Sequence, residues 1–131
     1  MDKVVKTDAE WRAELNDLEF RVLRKRGTER AFTHDQFPEE PGIYRCRGCC
    51  APLFDQAHKF NSGTGWPSFY QPLEPDSVGE SEDRRLFMRR TEVHCNRCDG
   101  HLGHVFADGP QPTGLRYCIN GVSLSFEPGQ S

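Results

Sequence analysis

Glu92-Val93-His94-Cys95-Asn96-Arg97-Cys98-Asp99-Gly100-His101-Leu102-Gly103-His104-Val105-Phe106 is the stretch from which the fold is read. Residues 86–94 and 103–107 have strand character. Between them lies a Cys-x-x-Cys knuckle followed by glycine, a strong chain-turning signal. Further short extended segments fall at 43–46, 68–70, 115–119 and 122–126, each bounded by Gly, Pro, Asn or Asp. Short strands at such spacing argue for antiparallel β structure in a small sandwich or partly open barrel.

Working outward, Cys46-Arg47-Gly48-Cys49 repeats the knuckle of Cys95-Asn96-Arg97-Cys98. A two-residue gap lets both sulfurs of a knuckle face one ion, and two knuckles supply the four thiolates that tetrahedral zinc prefers. A doubled Cys-x-x-Cys is a recognised zinc signature. Iron can occupy a similar cage. A rival ligand set, Cys95, Cys98, His101 and His104, leaves Cys46 and Cys49 unexplained. Four cysteines close the coordination sphere, so the expected role is structural.

The N-terminal part reads differently. Thr7 and Glu10 have capping-box spacing, and Trp11, Leu15, Leu18 and Val22 recur along one helical stripe. Asn16-Asp17 is a candidate break into two helices, and Gly27 a stop after Arg24-Lys25-Arg26. Residues 1–27 are thus expected as a helical segment packed on a single domain spanning 1–131. Residues 28–42, with Pro38, Pro41 and Gly42, read as a wrapping loop, and 127–131 as a tail.

The chain has 131 residues, 28% of them charged and 35% apolar, so it suits one domain with a lean core that a metal would staple. Seventeen basic against twenty acidic residues leave a net charge of −3, which argues against nucleic acid as partner. No apolar run approaches a membrane span, and the N-terminus lacks an apolar signal core. A cytoplasmic setting is the expectation, and there six cysteines point to metal or redox chemistry rather than disulfides.

Two cysteines lie outside the knuckles. Cys118 follows Arg116 by two residues, so on a strand they share a face, and a cation biases a thiol towards thiolate. A buried inert cysteine is the plainer reading of the same residues. Cys50 directly follows a ligand and reads as a spare small residue, an alternative ligand or a partner for Cys118. His101, His104 and Asp108 place a proton donor near a carboxylate that can orient it. Trp66, before Pro67 and after two glycines, can form a wall for a thioether or methyl group, or be an ordinary core aromatic.

Gly63-Thr64-Gly65-Trp66-Pro67-Ser68-Phe69, His101-Leu102-Gly103-His104-Val105-Phe106, Asp108-Gly109-Pro110-Gln111-Pro112-Thr113-Gly114 and Arg116-Tyr117-Cys118-Ile119-Asn120, in this order, resemble the type B methionine sulfoxide reductases. The resemblance runs from about Trp11 to Phe126, and the knuckles match the zinc-containing branch. It implies a mainly β fold of two antiparallel sheets with N-terminal helices, and a zinc site at Cys46, Cys49, Cys95 and Cys98 away from the catalytic cysteine. It makes Cys118 the nucleophile that reduces the R epimer of methionine sulfoxide in oxidised peptides and proteins. His101, His104, Asp108, Arg116 and Asn120 become its polar supports, with Trp66 and Phe106 on the substrate's methyl side. His104, oriented through Asp108, is the expected proton donor, with His101 second. Thioredoxin is the implied reductant of a monomeric enzyme. Thr64 departs from the pattern: many relatives carry the resolving cysteine there, so direct reduction of Cys118 by an external thiol is expected. The competing reading is a zinc-ribbon-like binding module, which leaves Cys118, the histidines and Trp66 idle.

Overall fold

Two capping boxes set the N-terminal helices. Thr7 Oγ1 accepts from the Glu10 N–H at 3.2 Å while the Glu10 carboxylate accepts from the Thr7 N–H at 2.8 Å. Asn16 and Glu19 repeat the exchange at 2.8 and 2.9 Å. Each cap is worth about 1 kcal/mol. They start α1, Asp8–Glu14, and α2, Asp17–Lys25, so the break at Asn16 is real. It also re-phases the apolar stripe. Leu18 is only half-buried, and Phe20, Val22 and Leu23 carry the buried face of α2. The left-handed residue that ends α2 is Arg26, at φ 57°, one position before the glycine expected to do so.

The computed structural model describes residues 2–85 and 88–129. Among the described residues, nine strands form two sheets. The first has the order β2 (Pro52–Asp55), β1 (Gly42–Cys46), β9 (Leu124–Pro128). The second runs β3 (Lys59–Phe60), β4 (Ser68–Phe69), β8 (Arg116–Ile119), β7 (His101–Phe106), β6 (Met88–Cys95), β5 (Val78–Arg85). All pairings are antiparallel. Between the sheets Phe54 stacks on Phe69 with ring centroids 4.3 Å apart, and Tyr44 meets Phe69 edge-on at 5.1 Å. Trp11, Leu15, Phe20 and Leu23 join the same buried cluster, so the helices close the sandwich.

The expected mainly β, two-sheet architecture holds, with local differences. Leu86 and Phe87, the start of the expected 86–94 strand, lie outside the described residues; the strand is observed from Met88. Residues 121–123 form a 3-10 turn, and the strand expected from 122 begins at Leu124. That strand continues through Glu127 and Pro128, which pair with Ile43 and Gly42, so the chain is not a free tail there. Gln130 and Ser131 lie outside the described residues. Strand β5 was not foreseen, because Val-Gly-Glu-Ser-Glu-Asp-Arg-Arg has no apolar alternation. No helix among the described residues is long and apolar enough to cross a membrane.

Candidate active site and metal centre

The knuckles come together where the two sheets meet. Cys46 ends β1 of the small sheet and Cys95 ends β6 of the large one. The four Sγ atoms of Cys46, Cys49, Cys95 and Cys98 all lie within 4.8 Å of one another. The separation is 3.7 Å between Cys46 and Cys98 and 3.5 Å between Cys49 and Cys95. A tetrahedral ion with metal–sulfur bonds of about 2.3 Å requires sulfurs about 3.8 Å apart, so the cage fits zinc. The backbone is built for it twice. Cys50 N–H bonds to the Cys46 carbonyl at 2.9 Å and Asp99 N–H to the Cys95 carbonyl at 2.8 Å. Both closing residues, Cys50 and Asp99, take left-handed φ angles of 67° and 62°. Packed thiols also compete for protons: hydrogen bonding pushes Cys46 up and Cys49 down. His101 and His104 make other bonds, which removes the rival ligand set.

Besides the cage, the outer face of the large sheet carries a polar row. Register pairing aligns Ser81 with Glu92, Glu92 with His104, His104 with Cys118, and Cys118 with Ser68. Cys118 and Arg116 share this face, while their neighbours Tyr117 and Ile119 point into the core. Gly103 allows the close approach of β7 and β8: a Cβ there would sit 2.0 Å from the Cys118 carbonyl oxygen.

Three residues apart, His101 and His104 belong on opposite faces of a regular strand. A register shift opposite Val93 and His94 inserts Leu102 as an extra residue in β7. This bulge returns both rings to one face, where they meet edge-on with centroids 5.5 Å apart. His104 Nε2 donates to Asp83 Oδ2 at 3.0 Å, and Arg90 holds the same oxygen at 3.2 Å. His101 Nδ1 donates to Glu92 Oε2 at 2.8 Å, while His94 and Ser81 donate to Glu92 Oε1 at 3.2 and 2.6 Å. Burial opposes ionisation of Glu92, yet these three donors hold its carboxyl well below the usual range. His101 Nε2 is buried without a hydrogen-bond partner.

The expected partnership of Asp108 with His104 is therefore corrected. Asp108 is exposed and grips Arg116 with both oxygens, at 2.9 and 3.1 Å. Asp83 takes its place on the histidine, reaching it from the unforeseen strand β5. Arg116 also covers the Phe106 ring at 4.5 Å.

A cavity of about 280 Å³ opens here, lined by Cys118, His104, Trp66, Phe106, Arg116 and Asn120. His101 stands behind His104, 3% exposed. Thr28, Thr64, Arg90 and Gly103 also line it. Thr64 Oγ1 lies 4.0 Å from Cys118 Sγ. Half-buried Trp66 donates its indole N–H to the Glu29 carbonyl at 3.1 Å. Cys50 is exposed in its knuckle.

Ionisation runs against the simplest expectation. Burial pushes the Cys118 thiol up, and the pull of Thr64 and Arg116 towards thiolate does not overcome it. Burial likewise lowers the His104 pKa, aided by the nearby Arg90 charge and opposed by Asp83. Both shifts favour the uncharged forms, a thiol beside a neutral imidazole. Asp83, Glu92 and Arg90 were missed because none of them is itself part of a motif; only pairing across strands brings them to the histidines.

Comparison with known proteins gives a consistent result. The SelR domain matches residues 15–128. The peptide methionine sulfoxide reductase MsrB of Thiobacillus denitrificans is 59% identical, with 94% of each chain covered. The protein of the same name from Chromohalobacter salexigens is 56% identical over 98% of each chain. That of Herminiimonas arsenicoxydans is 57% identical, over 96% of this chain and 93% of its own. With the fold, the four-sulfur cage and these matches in agreement, the chain belongs to the SelR-domain family of MsrB-type methionine sulfoxide reductases.

Proposed function

We propose that this protein reduces the R epimer of peptide-bound methionine sulfoxide, with Cys118 as nucleophile and His104 as proton carrier. The observation that carries this reading is the cross-strand pairing of His104 with Cys118 at the wall of one cavity. Substrate sulfoxide enters with its methyl group against Trp66 and Phe106 and its oxygen towards the histidines. Neutral His104 accepts the Cys118 proton and delivers it to the sulfoxide oxygen. A positioned proton carrier is worth about two to four orders of magnitude in rate. The sulfur of Cys118 attacks the substrate sulfur. In the net step the substrate S–O bond breaks and an S–O bond forms on Cys118. The thiol proton ends on that oxygen. Methionine leaves, and Cys118 remains as sulfenic acid.

Asp83 fixes the His104 tautomer through Nε2, and Glu92 does the same for His101 through Nδ1. Arg116 and Asn120 support Cys118, and Asp108 holds Arg116. Thr64 sits where many relatives carry a resolving cysteine, and it cannot form a disulfide. An external dithiol, thioredoxin by resemblance, therefore attacks the sulfenic sulfur directly. It expels water, forms a mixed disulfide and then closes its own disulfide to release the Cys118 thiol. Zinc, held by Cys46, Cys49, Cys95 and Cys98, would tie the sheets together.

Single-turnover assays test the reading. Pre-reduced protein is mixed with peptides carrying each sulfoxide epimer, without added reductant, and then with thioredoxin. Methionine from the R epimer alone, lost in Cys118→Ser, is the expected result. No product from either epimer with folded, metal-loaded protein would overturn it in favour of a binding module.

A further inference from the structure

Glu29 is a buried carboxylate that the proposed reaction does not use. Its residue exposure is 2%, and its side chain is fully enclosed. Burying a charge this way is costly unless its partners are fixed in place. Every polar group of Glu29 is committed. Oε1 accepts from the Val122 N–H and Oε2 from the Gly121 N–H, both at 2.8 Å. Its backbone N–H donates to Asn120 Oδ1 at 3.0 Å. Its carbonyl accepts the Trp66 indole N–H at 3.1 Å. Asn120 is tied onward to β7, its Nδ2 donating to the Leu102 carbonyl at 3.0 Å.

One residue of the wrapping loop thus joins the end of β8, two positions past Cys118, to the loop that carries Trp66. A second stitch runs beside it: the Phe32 N–H bonds to the Gly65 carbonyl at 2.8 Å. The Phe32 ring lies over Gly65, so close that a Cβ there would be 2.6 Å from it. Thr28, the neighbour of Glu29, lines the Cys118 cavity.

We propose that Glu29 is a positioning residue for the substrate pocket: its carboxylate anchors the loop whose backbone fixes the Trp66 indole and the Asn120 amide at the cavity wall. The proposal rests on the reductase reading for its substrate. It separates two jobs in one residue. The side chain fastens the loop to the Gly121–Val122 turn, and the backbone transmits that placement to the pocket.

Glu29→Gln preserves shape but turns one acceptor into a donor facing a backbone N–H. On an R-sulfoxide peptide, kcat/KM falls about tenfold, mainly through KM, the loss typical of a hydrogen bond to a charged group. Metal content and the rate of Cys118 alkylation stay at wild-type levels. In a Trp66→Phe background the same substitution has a smaller effect, since the indole N–H it works through is already gone. A folded Glu29→Gln protein with wild-type KM, or one additive with Trp66→Phe, overturns the proposal. A measurement on the unmodified protein covers the case in which the variant does not fold. Hydrogen exchange at the 15N-labelled Trp66 indole is slow if the clamp holds, and exchange at the free-indole rate overturns it. This readout needs no turnover, so an inactive wild-type protein would sink the proposed reaction while leaving the clamp to be judged.

Discussion

Cys46 and Cys118 sit on strands of opposite sheets, and their surroundings assign them opposite work. Around Cys46 are three more sulfurs, brought together by the turns of the two knuckles. Around Cys118 are a histidine across the strand, an arginine two residues away and a cavity. A zinc ion in the first setting would be held by all four thiolates in a closed shell, leaving none to react. In the second, burial outweighs the pull of Arg116 and raises the thiol's pKa, which favours the protonated form that the proposed reaction starts from. Reactivity is thus a property of the neighbours and not of the residue type.

The largest effect expected at Cys118 is complete. Cys118→Ser forms no methionine from the R epimer in a single turnover, yet keeps its fold and metal. If it lost metal as well, the two cysteine settings would not be separate. Conversely, Cys46→Ser or Cys95→Ser loses zinc by elemental analysis and lowers Tm by about 10 °C or more, the scale of a few kcal/mol in a chain of this size. Retention of both fold and zinc would break the structural half of the comparison.

The next contrast lies among the carboxylates. Asp83→Asn slows the first turnover by about tenfold through loss of the histidine tautomer, less than the two to four orders of magnitude a proton carrier is worth because His104 itself remains. Asp108→Asn, which acts only through Arg116, costs less in the same assay. The reverse order would restore Asp108 as the partner of His104. A finer test is the pH dependence of Cys118 alkylation by iodoacetamide. Its midpoint lies above that of an ordinary thiol. Arg116→Met moves it further up, because Arg116 favours the thiolate. The smallest effect belongs to Cys50→Ser. Thioredoxin-dependent turnover stays within about twofold of wild type, as for a surface residue away from the chemistry. Lost recycling with an intact first turnover would make Cys50 a resolving thiol and join the two regions chemically.

How much of this is legible in sequence depends on the distance over which each signal acts. The capping boxes at Thr7 and Asn16 operate within four residues and are readable directly. So are the knuckles, whose spacing encodes their own turn. Strand β5 is not, because Val78–Arg85 is polar and gains its place only by pairing with β6. Asp83 and Glu92 are invisible as site residues for the same reason. Asp108 misleads, since proximity to His104 along the chain does not survive the direction of β7: the strand ends at Phe106 and the carboxylate turns to Arg116.

By itself the sequence determined the helix starts, the four sulfurs of the cage, the β class and the family, because spacing and local hydrogen bonding carry those. Only the tertiary structure decided which carboxylate serves which histidine, how a bulge at Leu102 turns two histidines to one face, and that Glu29 holds Trp66. The first two relations depend on pairing between strands, and they come into being only when strand register sets which residues face one another; the third joins two loops.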